Sequence, residues 1–467
     1  MLLKNRSITS LNSSIDKLGF FSAILHLYYS VVWSVSFYSG PVSLVTSLFI
    51  PQALLGLSLL GFLNPRSNIL LLINAILFAS LYIYSSPVSS NNKTTAFFLS
   101  VLVILSFLKT LLSGRGINCD RDKIFHLIQG PCKLILVCMY FFGIYHKLNT
   151  DFFNPNVSCA VELYKPIASL IGQEQNINLY WIPIYSTVIV ETIAIVGLLF
   201  KRYCKFGLAV SIPFHIIIGF TGYAFYMDFS TIVLAMYALN INDESLQRLK
   251  TLYMRVFRSY WLKKTISLIP IFFALAIYIY VAILCKGICS YRSFMPIFAF
   301  YSVPIFLILV FSKNIHRVGW KKSNSGLLYL IPFLFFLNGL SPYLGLKTEG
   351  SISMYSNLYV EGRTTNHFFH GVIPGFWNYS DEVVTIIDSN DNRLKKGEAF
   401  VRYDFDRRLS NMQNVEVTIQ SNLKNTPQRI STREGNWENT FVDSHWLMKK
   451  YLIFKPIDYT RPKVCDH

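Results

Sequence analysis

Charged side chains are scarce in this chain of 467 residues: Asp, Glu, Lys and Arg make up 15% of it, and only 25 residues are acidic. Soluble domains carry about 25% charged residues. With 52% hydrophobic residues and a mean hydropathy of +0.40, a wholly soluble fold is excluded. The 8 cysteines form no Cys-x-x-Cys pair and no Cys/His metal spacing, so no metal centre is expected. A disulfide involving Cys159 stays open. There is no nucleotide-binding loop, haem motif, internal repeat or low-complexity tract. The first 18 residues are polar and mixed, and no small-residue cleavage site follows them, so no cleavable signal peptide is expected.

What the chain has instead is apolar runs, eleven in approximate outline. They cover Phe20 to Tyr38, Val42 to Phe62, Ile69 to Tyr84, Ala96 to Leu112, Lys133 to Leu148, Tyr180 to Phe200, Phe206 to Tyr226 and Phe229 to Leu239. Three more follow at Ile266 to Cys285, Phe294 to Phe311 and Leu327 to Leu340. Several are short, so the expectation is a mainly α, polytopic helical membrane protein of about 9 to 11 spans. The aromatic content of 16% suits lipid-facing surfaces and interfacial belts.

The net charge of +18 is decided by its distribution. Lys4, Arg6 and Lys17, then Arg115, Arg121 and Lys123, then Lys201, Arg202 and Lys205, then Arg248 to Lys264, then Lys313 to Lys322 all fall in loops that share one side when eleven spans are counted. The positive-inside rule makes that side the cytoplasm. The amino terminus is therefore expected inside, the carboxyl tail outside, in a cell or inner membrane. Charges that orient spans need no acidic ligand, and no nucleic-acid partner is expected.

After Ser341 the composition turns polar, with alternating runs EVVTIID, AFVRYDF and VEVTIQ that read as short strands. Residues 1–341 are expected to form the multi-span domain and 342–467 a small β-rich extramembrane domain. The turn-rich stretch SPYLGLKTEGSISMYSNL has two readings: a membrane-surface lid dipping Tyr343, Met354, Tyr355 and Leu358 into the headgroups, or a linker to the tail. Asn366, His367 and His370 lie near the outer surface.

Ionisable groups inside apolar runs are costly and face a bundle interior or cavity, so they rank first as site candidates. Lys147 ends the fifth run with three readings open. It snorkels to the headgroups, pairs with Asp151 one turn on, or serves as a base after burial lowers its pKa. Glu191 sits in the middle of the sixth run, either as a hydrogen-bonded helix contact or as part of a site. His215 follows Pro213 in the seventh, either as a packed neutral ring or as a hydrogen-bond donor. A base, a neutral ring and an acid on consecutive spans are the parts of a pocket for a lipid-soluble molecule. Tyr140, Gly143, Ile144 and Lys147 fall on one helical stripe, and Gly143 admits a close helix or a flat ligand. His146 points about 100° away from Lys147.

The stretch YFFGIYHKLNTDFFNP resembles the hallmark of the vitamin K-dependent gamma-carboxylase-like membrane proteins, the HTTM family, most of whose members are bacterial. Two further stretches are similar to family segments: PFHIIIGFTGYAFYMDFSTIVLAMYAL, and Leu337 to Phe369. The resemblance implies that Lys147 is the base that deprotonates a reduced naphthoquinone. Oxygen then adds, and the strong base so formed takes a proton from a protein or peptide substrate before carbon dioxide adds. It implies that His215 hydrogen-bonds a quinone oxygen, that Tyr140, Gly143, Asn149 and Glu191 line the quinone site, and that reduced vitamin K or another quinone is the cofactor. The chain departs from the family pattern at His146, where the family has lysine, and at Asn149, where it has aspartate. Its tail cannot reproduce the larger lumenal portion that grips a propeptide in animal carboxylases. Membrane lipid and a lipid-soluble small molecule are the expected partners. The alternative is a non-catalytic lipid-handling, transport or assembly protein of the same family, although the scarcity of intramembrane charge argues against ion-coupled transport.

Overall fold

In lipid every backbone amide must be satisfied within its own segment, so apolar runs become helices. The computed structural model describes residues 16–30, 49–87, 90–113, 120–221, 224–239, 295–310, 326–353, 355–370, 377–424, 426–435 and 437–455, with 272, 275–277, 457, 462 and 465 in addition. Among these, five helices are long and apolar enough to cross a membrane: Asn68–Ser85, Asn91–Leu112, Arg121–Tyr145, Ile177–Leu199 and Gly326–Leu344. Such a set belongs to a multi-pass membrane protein. Shorter apolar helices Cys204–Gly219, Ala224–Ala238 and Met295–Val310 overlap three more of the expected runs, although Tyr226, the expected end of one run, falls inside the Ala224–Ala238 helix. The run from Ile266 to Cys285 lies almost wholly outside the described residues.

One boundary moves substantially. The run expected from Lys133 to Leu148 belongs to a helix that begins at Arg121, continues through Pro131 and stops at Tyr145. His146 and Lys147 therefore sit in the turn just beyond it.

The chain divides into two compact units. The first holds Met1–Leu81, Thr95–Val137 and Thr192–Phe333; the second holds Tyr82–Thr94, Cys138–Glu191 and Leu334–His467. In the first, Arg121 ties its helix start to a turn, donating to the carbonyls of Arg66 at 2.6 Å and Pro65 at 3.1 Å and to Asn68 Oδ1 at 2.8 Å. Gly197 and Gly207 face each other where the chain turns at Lys201–Tyr203, and a Cβ on either would stand 2.6 Å from the other's Cα. Only two glycines permit that approach. Gly197→Val is expected to lower the stability of the detergent-solubilised protein by about 1–3 kcal/mol through overpacking, with Gly197→Ala lower than wild type as well. An unchanged melting curve for both variants would show that the two segments separate freely.

In the second unit, strands β1 (Val383–Ser389), β2 (Ala399–Val401), β3 (Glu416–Ser421) and β4 (Gln428–Ser431) form an antiparallel sheet in the order β2-β1-β3-β4. Alternation along β1 divides its side chains between two cores. Val384 and Ile386 pack with Phe400, Phe405, Leu409, Val417 and Ile419, whereas Val383 packs with Val401, Tyr403, Leu452 and Phe454. The expected strand AFVRYDF is corrected: only Ala399–Val401 is extended, and Arg402–Leu409 is a helix. Ion pairs at helical spacing explain the switch, Arg402 with Asp406 at 2.9 Å and Arg407 with Asp404 at 3.0 Å. A disulfide joins Cys159, at the start of the Cys159–Ala168 helix, to Cys465, with Cα atoms 4.8 Å apart.

Candidate functional site, a buried lysine–glutamate pair

The helix Arg121–Tyr145 ends where its last turn meets a polar sequence, and the following residues fold into a knot of side chain to backbone hydrogen bonds. Asn149 holds it together. Its Nδ2 donates to the His146 carbonyl at 2.8 Å and the Ser356 carbonyl at 2.6 Å, while its Oδ1 accepts from the amides of Asp151 at 3.1 Å and Phe152 at 2.8 Å. Asn149 thus fixes the turn that aims Lys147.

Lys147 Nζ donates to Glu191 Oε1 at 2.6 Å. Both residues are buried, at 7% and 8% exposure, so this is an ion pair largely withdrawn from solvent. Of the three readings of Lys147, pairing with Asp151 is replaced: Asp151 Oδ2 accepts instead from Asn366 Nδ2 at 2.8 Å. Glu191 Oε2 is buried and without a hydrogen-bond partner among the described residues. A Cβ on Gly143 would stand 3.2 Å from that oxygen, so glycine is what lets the carboxylate lie against the helix backbone. The ring of Phe152 lies 5.9 Å from Nζ. Tyr140 is buried in the same unit.

His215 belongs to the first unit, buried in the Cys204–Gly219 helix beside Phe214 and Phe229, with ring centroids at 5.5 and 5.7 Å. Lys147, Glu191, Gly143, Tyr140 and Asn149 belong to the second.

Spacing alone did not reveal two features of the second unit. His146 is fully buried between two carbonyls, Ile352 O at 3.2 Å from Nδ1 and Gly339 O at 3.1 Å from Nε2. A neutral ring has one N–H and donates to one of them at a time. Ile352 is held at φ 65°, a costly conformation for a β-branched residue. Its amide donates to Asn91 Oδ1 at 2.6 Å, so both of its backbone groups are gripped. Next to His146, Tyr343 packs against Tyr145, His367 and His370 with centroids at 5.3, 5.5 and 5.0 Å, and Tyr145 Oη lies 2.6 Å from His370 Nε2. Tyr355 and Leu358 are buried, so they do not form a lid dipping into headgroups; Met354 lies outside the described residues.

The second feature is Lys347, buried with its ammonium 4.2 Å above the Tyr451 ring. Burial lowers its pKa from the ordinary 10.5 to about 7, against an opposing pull from Glu349. Neither the lid reading nor the linker reading of the stretch around LKTEG gave a sign of it. Among the described residues no group of three His, Cys, Asp or Glu side chains is placed to hold a metal ion. No protein-family model, curated protein or solved structure matches the chain.

Proposed function

We propose that the chain is a gamma-carboxylase-like integral membrane protein of the bacterial HTTM type, in which Lys147 acts as a base towards a reduced quinone. The observation that carries the proposal is the buried Lys147–Glu191 pair at 2.6 Å, placed in the stretch that resembles the family hallmark. Glu191 Oε2, without a partner among the described residues, supports the reading as an acceptor for a ring hydroxyl group. Lys147 is a base only as the free amine. Moving one proton along its hydrogen bond to Glu191 Oε1 turns two charges into an amine and an acid, neither charged, in surroundings that disfavour charge. Lys147 Nζ then accepts the ring hydroxyl proton, and Glu191 orients the group through Oε2. A reduced quinone, when bound, supplies the electrons that oxygen takes up to make the strong base for carbon deprotonation.

The same reading includes 9 to 11 spans, an amino terminus inside and a tail outside. The basic loops support that orientation, and so does the Cys159–Cys465 disulfide, since such bonds persist on the oxidising side of a membrane.

The test is epoxide formation from vitamin K hydroquinone in membranes or detergent. Lys147→Ala is expected to lower the rate by about a hundred- to ten-thousand-fold, the usual contribution of a general base, while Lys347→Met retains it. His215→Gln enters the same assay. Equal absence of epoxide with wild type and Lys147→Ala would overturn the carboxylase reading. The close ion pair also favours a second reading, a clamp in a non-catalytic lipid-handling, transport or assembly protein. In that case mass spectrometry of the co-purifying lipid extract would identify the cargo.

A further inference from the structure

The C-terminal sheet carries a cavity that the Lys147 site does not use. Its volume is about 420 Å3, and its wall includes Trp377, Tyr379, Glu382, Arg402, Tyr403 and Thr440. The local fold explains their convergence. Glu382 immediately precedes β1, Trp377 and Tyr379 lie in the turn leading to it, and Arg402 and Tyr403 open the helix that follows β2.

Arg402 is 7% exposed, and a buried guanidinium needs partners. Among the described residues it has two hydrogen-bond partners and one looser ion pair. Nε donates to Asp406 Oδ1 at 2.9 Å and Nη2 to the Glu438 carbonyl at 3.0 Å. Nη1 stands 3.8 Å from Glu382 Oε1, beyond hydrogen-bonding reach, and that oxygen already accepts from the Ser421 hydroxyl at 2.9 Å. Arg402 Nη1 and the Glu382 carboxylate therefore face each other across 3.8 Å with no hydrogen bond between them, and each keeps hydrogen-bonding capacity among the described residues. The Thr440 hydroxyl donates its proton to Asp406 Oδ2 at 2.8 Å, which leaves Oγ1 free to accept. The remaining walls are Asn378 and three aromatic residues: the Tyr379 and Tyr403 rings stand 5.8 Å apart at 79°, and Trp377 is 45% exposed.

A simple anion entering this cavity meets Glu382, and a simple cation meets Arg402. A ligand with an anionic and a cationic group on adjacent atoms satisfies both at once. We infer that the cavity binds a free α-amino acid with an aromatic or large apolar side chain. Its carboxylate lies on Arg402 Nη1, its ammonium lies between Glu382 and Thr440 Oγ1, and its side chain lies against Tyr379, Tyr403 and Trp377. Charge-assisted hydrogen bonds fix the polar end, and the aromatic walls take the apolar end. The volume lies within the roughly 300–1,000 Å3 usual for small-molecule sites.

Isothermal titration of the full chain in detergent tests this with four probes: L-phenylalanine, N-acetyl-L-phenylalanine, L-phenylalaninamide and phosphocholine. L-phenylalanine is expected to saturate the site, and each blocked derivative to bind at least about tenfold more weakly. Glu382→Gln is expected to weaken L-phenylalanine about tenfold while leaving the N-acetyl derivative unchanged. Tyr379→Ala is expected to weaken all three. Arg402 is left in place because it also anchors Asp406 and Glu438. The inference is overturned by no saturable binding of L-phenylalanine up to about 10 mM, by equal binding of the blocked derivatives, or by tighter binding of phosphocholine, which would assign the cavity to a lipid headgroup.

Discussion

Lys147→Ala is expected to destabilise the protein by about 3–5 kcal/mol, whereas the double change Lys147→Met with Glu191→Leu is expected to stay close to wild type. The single change leaves Glu191 buried beside Gly143 with neither oxygen paired, Oε2 already lacking a partner among the described residues. The double change removes both charges together and refills the space with apolar atoms. Thermal unfolding in one detergent, with all three proteins at equal concentration, measures the difference. The pair of variants also separates stability from chemistry. If the proposed function holds, epoxide formation is lost in both, but folding suffers in only one. A double variant as unstable as the single one would mean that the ion pair is not the source of the effect.

Removing the Cys159–Cys465 disulfide is expected to lower stability by about 2–5 kcal/mol. The bond links residues 306 apart, and in the chain-entropy account so long a loop gives about 5–6 kcal/mol, an upper bound on the loss. Cys159 is buried, and its amide donates to Asn357 Oδ1 at 2.8 Å, so its surroundings are ordered independently of the sulfur. Cys159→Ser and Cys465→Ser are therefore expected to give the same loss, and the double variant no more than either alone. Melting curves with and without reductant provide a direct check. Identical curves would show that the bond contributes nothing.

The spanning helices were legible because lipid imposes one rule on every residue in them. The run expected from Ala96 to Leu112 corresponds to a helix that starts at Asn91. The start at Arg121 was hidden, since hydropathy cannot carry a span back through Arg121, Asp122 and Lys123, whose helical state depends on tertiary contacts such as Arg121 with Asn68. The strand EVVTIID was readable from its alternation. AFVRYDF alternates equally well, but its charges at spacings of three and four stabilise a helix, and that signal was outweighed by the period of two. At the candidate site, Lys147 and Asn149 stand out from their neighbours in sequence. Glu191 stands out too, as the acid in the middle of its run, but a direct pairing with Lys147 does not follow from the sequence, because the two are 44 residues apart and Asp151 offered a local alternative. The cluster around Tyr343, and the burial of Lys347, arise from chain segments that no periodic pattern connects.

The disulfide also sets an order of events during synthesis. Cys159 cannot meet its partner until another 306 residues have been made, which at about 5–20 residues per second takes roughly 15–60 s. If the proposed orientation holds, later cysteines such as Cys285 and Cys289 emerge on the same side within that interval. The native bond is thus the last of several pairings to come within reach. Cells that lack a disulfide isomerase should accumulate chains cross-linked at the wrong cysteine, separable by their mobility on non-reducing gels.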